Sequence, residues 1–295
     1  GENMIEIKNL EHAFGNKMLF RQEGDFSIYP GVNYLIGLNG TGKTTLFKLL
    51  LGFLKPISGT ILYDNHKIGD SLDRIGVVFD TPCFYPYLSG VENLSYFSKI
   101  QSGEITMDRI RTAMENWELE PDQALYKTYS LGMKKKLSII LALLRNPDYW
   151  FMDEPFNGLD TDAKRKLVEH IQTYQKKQKT IILAAHEISF NLMLADHILL
   201  IHNKKLMYFP NIRNIVPALI ETSILLPKET HLEESMQPFI RSQSDLERGL
   251  EVRTTQRDKQ NVIDLLRKQK INILGEYEGD NSIKDIVQRL EELSC

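Results

Sequence analysis

Cysteine is nearly absent from this sequence: only Cys83 and Cys295 occur, with no CxxC pair. That excludes a disulfide framework and a structural zinc site of the usual spacing, and it fits a reducing cytosol. Long apolar runs are lacking as well. No stretch reaches the roughly 20 apolar residues that a membrane helix needs. The best candidate, residues 180–202, is interrupted by His186, Glu187, Asp196 and His197. There is no excess of positive charge either, since 36 Lys and Arg face 39 Asp and Glu for a net charge of −3. Nucleic acid, which favours a strongly basic surface, is therefore not expected as a partner. No secretory signal is recognisable, and Gly1-Glu2-Asn3 ahead of Met4 reads as a cloning scar to be left out of fold reasoning.

What remains is 295 residues of ordinary composition, 42% hydrophobic and 25% charged, enough for one large domain or one domain with a smaller appendage. Short β-like runs at 4–9, 25–29 and 32–36 alternate with turn signals. A glycine-rich loop leads into a helix over 43–54, where Leu46, Leu49, Leu50 and Phe53 recur at helical spacing. Strands are expected at 59–63 and 75–79, helical structure over 87–144, and strands at 149–152, 180–185 and 197–201 alternating with helices at 161–177 and 187–195. Alternation of this kind predicts an α/β fold with a mostly parallel sheet covered by helices.

After Pro210 the character changes. Residues 211–295 hold 12 basic and 15 acidic side chains and so carry the net charge, while residues 1–210 balance at 24 of each. A strand at 250–254, a helix at 257–268, a strand at 271–277 and a helix at 282–293 predict a small α/β appendage. The division expected is therefore 4–210 and 211–295. The basic clusters Lys134-Lys135-Lys136 and Lys176-Lys177 read as solvated helix faces.

Gly37-Leu38-Asn39-Gly40-Thr41-Gly42-Lys43-Thr44 matches G-x-x-x-x-G-K-[ST] in full, between a hydrophobic strand and a helix start. Glycines let backbone N–H groups curl around phosphate oxygens, and the helix N-terminus adds favourable partial charge. Lys43 would reach the β- and γ-phosphates, the Thr44 hydroxyl would ligate Mg²⁺, and Thr45 could add a phosphate hydrogen bond. Taken alone, the motif indicates a nucleotide binder and nothing narrower. Further on, Tyr149-Trp150-Phe151-Met152 runs straight into Asp153-Glu154. A buried strand that delivers carboxylates at its C-terminal end is where an α/β sheet builds a site. Asp153 is placed to hold Mg²⁺, and Glu154 to act as general base on an attacking water.

Between the two motifs lies Tyr129-Ser130-Leu131-Gly132-Met133-Lys134, ahead of an apolar helix; after the acids come Asn157-Gly158-Leu159-Asp160, and His186 closes the next strand. In this order the motifs resemble those of the ABC ATPase family, over residues 4 to about 210. The resemblance implies a P-loop ATPase fold with an antiparallel β subdomain and a helical subdomain over about 87–144. It implies ATP and Mg²⁺ as ligands, and a homodimer in which Ser130 and Gly132 contact the γ-phosphate held by the other copy. A serine hydroxyl at a helix N-terminus is a reasonable anion site. Asp160 matches an aspartate at the dimer interface and His186 a histidine that senses the γ-phosphate. Phe14, 23 residues before Gly37, matches the aromatic that stacks on adenine; plain core packing is the alternative for a single aromatic.

Two departures stand out. The signature reads Ser-Leu-Gly-Met where the family usually has Ser-Gly-Gly-Gln, and Asp80 stands where the family usually has glutamine. An acid there can face Mg²⁺ or the attacking water, and it adds negative charge near the nucleotide. With Phe79-Asp80-Thr81-Pro82, Phe84-Tyr85-Pro86 and Val91-Glu92-Asn93-Leu94, these departures are similar to the bacitracin and lantibiotic-immunity exporters. That similarity implies an ATP-hydrolysing subunit on the cytoplasmic face of the membrane, driving a separate permease that exports a drug or antimicrobial peptide. The alternatives are a soluble ABC ATPase acting in macromolecular assembly, which the single cassette and the lack of long heptad runs disfavour, and a regulatory binder that does not hydrolyse, which Glu154 and His186 argue against.

Overall fold

A computed structural model describes residues 3–38, 40–101, 105–279 and 281–294. Of the expected site residues only Asn39 lies outside these, as do Gly1, Glu2 and Cys295. The chain forms two compact units, one made of Gly1–His186 with Leu194–Pro210, the other of Glu187–Met193 with Asn211–Cys295.

In the first unit β1 (Ile5–Phe14), β2 (Lys17–Gln22) and β3 (Phe26–Ile28) precede β4 (Gly31–Gly37), α1 (Lys43–Leu50) and β5 (Ser58–Tyr63). Then follow β6 (Ile75–Val78), the helices α2 (Gly90–Gln101), α3 (Met107–Asn116) and α4 (Leu131–Leu144), and β7 (Tyr149–Asp153). The unit closes with α5 (Thr161–Lys176), β8 (Thr180–Ala184), β9 (His197–His202) and β10 (Lys205–Phe209). Strands β6, β7, β8, β4 and β9 lie side by side and parallel. Both faces of such strands are buried, so they read as continuous apolar runs: every residue of β4 and β8 is buried. Around β1 the pairing with β2, β3 and β5 is antiparallel, which gives the β subdomain.

The apolar face of α1, Leu46, Phe47, Leu49 and Leu50, packs into a core with Leu35 of β4, Phe151 of β7, Ile182 of β8 and Leu199 of β9. The helix ends at Leu50 instead of continuing to residue 54. Gly52 takes a left-handed conformation (φ 72°), and the N–H of Phe53 returns to the carbonyl of Lys48 at 2.8 Å, a hydrogen-bonded stop that needs a residue free of Cβ strain. At the N-terminal ends of β6 and β7 the Arg74 guanidinium bonds Asp148 at 2.6 Å and Asp64 at 2.9 Å, with Lys179 on the other oxygen of Asp148. Burial pushes the Asp148 carboxyl up, but the hydrogen bonds from Lys179 and Arg74 outweigh it and hold the group below the usual carboxylate range.

One expectation fails here. Lys135 and Lys136 are not a solvated face: Lys135 is 0% exposed and Lys136 9%, because both lie on the side of α4 that meets the rest of the unit. Lys176 and Lys177 are exposed as expected.

The second unit contains α6 (Ile188–Leu194, all but its last residue), α7 (Val216–Leu219), β11 (Glu221–Leu226), β12 (Ser242–Leu246), β13 (Gly249–Thr255), α8 (Lys259–Lys268), β14 (Gly275–Glu278) and α9 (Ile283–Ser294). Its antiparallel sheet runs β12-β13-β11-β14, and Val262, Ile263 and Leu266 of α8 cover Ile224, Leu226 and Val252. The strand expected at 271–277 is shorter and later, beginning only at Gly275, where pairing to Leu225 starts. β11, fully buried between β13 and β14, is a strand beyond those the sequence predicts.

Candidate active site

Because β6, β7, β8 and β4 are adjacent and parallel, the residues just past their C-terminal ends share one edge. Asp80 follows β6, Asp153 and Glu154 end and follow β7, His186 follows β8, and the glycine loop follows β4. A cleft of about 480 Å³ opens there, lined by Phe14, Lys17, Leu19, Gly40, Gly42, Lys43, Thr44, Thr45, Asp80, Asp153, Glu154 and His186. Residues spread over 172 positions of sequence (Phe14 to His186) are thus brought to one place.

The loop is shaped for an anion. Gly42 caps α1 in a left-handed conformation (φ 111°) with no side chain on the helix N-terminus, so the first N–H groups of α1 are left for a ligand. A Cβ at Gly42 would stand 2.6 Å from the Leu19 side chain, and one at Gly37 2.6 Å from the Thr41 hydroxyl. Lys43 folds back, donating to the carbonyls of Gly37 at 2.5 Å and Leu38 at 3.2 Å. Half-burial lowers its pKa, partly offset by Glu154 and Asp153.

Across the cleft, Glu154 holds φ at 45°, a conformation that costs a side-chain-bearing residue about 1 kcal/mol. It is held by its own N–H donating to Ala184 at 2.8 Å, a continuation of the β7–β8 ladder. Its carboxylate meets His186 twice, through Nε2 at 3.1 Å and through the backbone N–H at 3.3 Å. Burial raises the Glu154 pKa, while His186 opposes the rise. Burial also raises that of Asp153, and the charge of Asp80 adds to it; Lys135 and Lys43 act in the opposite sense. A carboxyl desolvated beside other carboxyls is the environment that makes a base stronger.

The donor set fits the groups expected there. Uncapped N–H groups, a lysine and glycine-made room suit a triphosphate, and the exposed ring of Phe14 (58%) stands at the rim rather than in the core. Magnesium prefers a few hard oxygens completed by phosphate and water, and the Thr44 hydroxyl, Asp153 and Asp80 line the same cleft.

Ser130, Gly132 and Asp160 do not line this cleft. Ser130 caps α4, its Oγ accepting from the N–H of Met133 at 3.2 Å. Gly132 lies so close to the Asn157–Asp160 turn that a Cβ there would be 2.6 Å from the Gly158 carbonyl. Asp160 caps α5 by accepting from Ala163 N–H at 2.8 Å and pairs with Lys136 at 3.0 Å. Sequence reasoning misses Lys17 and Leu19, which line the cleft, and the contacts of Lys135 with Asp80 and of Lys136 with Asp160, which only the fold brings together.

A family model for ABC transporters matches residues 22–157. The lantibiotic transport ATP-binding protein SrtF of Streptococcus pyogenes is 30% identical over 69% of this chain and 89% of its own length. The bacitracin transport ATP-binding protein BcrA of Enterococcus faecalis is 31% identical over 72% of this chain and 71% of its own. A solved ATP-binding subunit of an ABC transporter superposes with a TM-score of 0.63 at 24% identity, covering 71% of this chain and 90% of that one. The chain therefore belongs to the ABC transporter family as an ATP-binding subunit, with the ABC ATPase fold. It is a nucleotide-binding ATPase subunit of a transporter, and among the described residues no helix is long and apolar enough to cross a membrane.

Proposed function

We propose that this chain binds Mg-ATP in the cleft above β4 and β7 and hydrolyses it with Glu154 as general base. The observation that carries the reading is the convergence of Lys43, Asp153, Glu154 and His186 from three strand ends. Lys43 and the N–H groups of the loop, with the backbone of Asn39, Gly40 and Thr41 among them, hold the β- and γ-phosphates; Thr45 adds a hydroxyl, and Phe14 stacks on the base. Thr44, Asp153 and Asp80 are the residues that would hold Mg²⁺, which supplies neutralisation of phosphate charge. Glu154 accepts the proton of the water that attacks the γ-phosphorus, and His186 holds the carboxylate in place.

Two copies face each other in this reading, the Ser130 and Gly132 end of α4 approaching the γ-phosphate on the partner copy and Asp160 lying at the shared face. Support comes from the position of Ser130 and Gly132 at the N-terminus of α4, outside the cleft of their own chain. Residues 4–210 are the motor and 211–295 an appendage. The partner is an integral-membrane permease reached from the cytoplasmic side, and the cargo is a drug or antimicrobial peptide to be exported, as the names of the bacitracin and lantibiotic relatives suggest. An apolar groove of about 210 Å³ lined by Phe53, Phe79, Pro82, Phe84 and Phe97 begins directly beside Asp80 and suits such a partner.

Affinity purification from native membranes tests the transporter reading. An integral-membrane polypeptide is expected in stoichiometric amount; a water-soluble partner in its place overturns the reading in favour of an assembly ATPase.

A further inference from the structure

Lys135 has no role in the cycle described above, yet it is the one lysine of its cluster that is wholly buried. Its ammonium donates to the carbonyls of Phe79 and Asp80 at 3.0 and 2.8 Å and lies 3.7 Å from the Asp80 carboxylate. A buried ammonium is tolerated only when its protons are met and its charge is opposed. Here two protons go to the backbone just past β6, and the opposing charge is the side chain of Asp80. The acid itself is half in solvent, with a side-chain exposure of 53%, and lines the nucleotide cleft. Asp80, Asp153 and Glu154 would otherwise put three carboxylates in one cleft against Lys43. Lys135 also lies in the same turn of α4 as Lys136, which holds Asp160 at 3.0 Å.

We propose that Lys135 is the positioning residue for Asp80: from the buried face of α4 it fixes the backbone where β6 ends and supplies the charge that lets an acid stand in the nucleotide cleft. The two residues form a matched pair. An acid at position 80 requires the buried lysine, and an uncharged amide there does not. The pair also ties α4 to the cleft edge, so a movement of α4 shifts the carboxylate. This inference rests on the reading of the cleft as the ATP site.

The test is a double-mutant cycle of Lys135→Gln and Asp80→Gln, with Lys135→Arg as the charge-conserving variant. Three readouts are taken: melting temperature without nucleotide, affinity for a fluorescent ATP analogue, and kcat against KM for ATP. Lys135→Gln is expected to weaken nucleotide binding about tenfold when Asp80 is present and less than about twofold in the Asp80→Gln background, the non-additivity of contacting residues. The melting temperature should fall in the first background and recover in the second, and Lys135→Arg should keep most of the affinity. Should Lys135→Gln fail to fold alone yet fold together with Asp80→Gln, the pairing is supported. Equal damage in both backgrounds, or failure to fold in both, overturns it and leaves Lys135 a backbone tie only; no damage in either overturns it as well. If the wild-type chain binds no nucleotide, the reading of the cleft fails, while the melting-temperature cycle still decides the Lys135–Asp80 pairing.

Discussion

The imidazole Nε2 of His186 lies 3.1 Å from one oxygen of Glu154, and the backbone N–H of the same histidine donates to the other at 3.3 Å. This double contact depends on register: Asp153 of β7 pairs with Ala184 of β8, so the residues that follow on each strand face one another. The histidine is mostly exposed and the glutamate mostly buried, with side-chain exposures of 67% and 12%. The carboxylate is the anchored member and the ring the one free to answer a ligand. His186→Ala keeps the backbone contact and removes the ring. Turnover should fall about 10- to 100-fold with ATP affinity changed little, as measured by steady-state hydrolysis beside equilibrium binding.

Gly132 separates α4 from the Gly158 turn by less than a methyl group. Gly132→Ala places its Cβ 2.6 Å from the Gly158 carbonyl, a backbone neighbour that cannot rotate away. Thermal unfolding should show a loss of about 1–3 kcal/mol, and hydrolysis should fall further than nucleotide binding, because the clash lies outside the cleft.

Acid sensitivity should be concentrated at Asp148. Its folded pKa is held below the ordinary value by Lys179 and Arg74, so it contributes stability above the unfolded carboxylate range. That contribution is lost as pH falls through the lowered folded pKa. Asp148→Asn should cost about 1–2 kcal/mol at neutral pH, a figure reduced for its partial exposure, and the difference from wild type should vanish well below about pH 4. Denaturant unfolding at a series of pH values checks this.

Within the second unit, Arg289 is buried and paired with a buried acid. It donates to the Leu219 carbonyl at 2.6 Å and to Glu221 at 2.8 Å, both side chains being about 90% buried. Arg289→Met leaves the Glu221 carboxylate, among the described residues, with Arg253 at 3.9 Å, and should cost about 3 kcal/mol. Limited proteolysis should then cut within 211–294 at lower protease concentration than in wild type.

Much of this site is legible in the sequence because its signals are local. The glycine loop, the abrupt Asp153-Glu154 after four large apolar residues, and the strand–loop–helix context each sit within a dozen residues. The parallel strands are legible too, since burial on both faces leaves an unbroken apolar run in β4 and β8. Lys135 is not legible, because a run of three lysines reads the same whether its partners are water or carbonyls 55 residues away. The strand β11 is hard to see for the opposite reason. Glu221, Thr222 and Ser223 open it as though it were a turn, and only pairing on both sides with β13 and β14 makes it an inner strand of its sheet.

The central claim is that the cleft hydrolyses ATP with Glu154 as the base. Its most direct test is phosphate release from ATP by purified Glu154→Gln beside wild type, with bound nucleotide assayed in the same samples. Turnover in the variant is expected to fall at least about 100-fold while ATP remains bound unhydrolysed. Hydrolysis at the wild-type rate by Glu154→Gln would contradict the account.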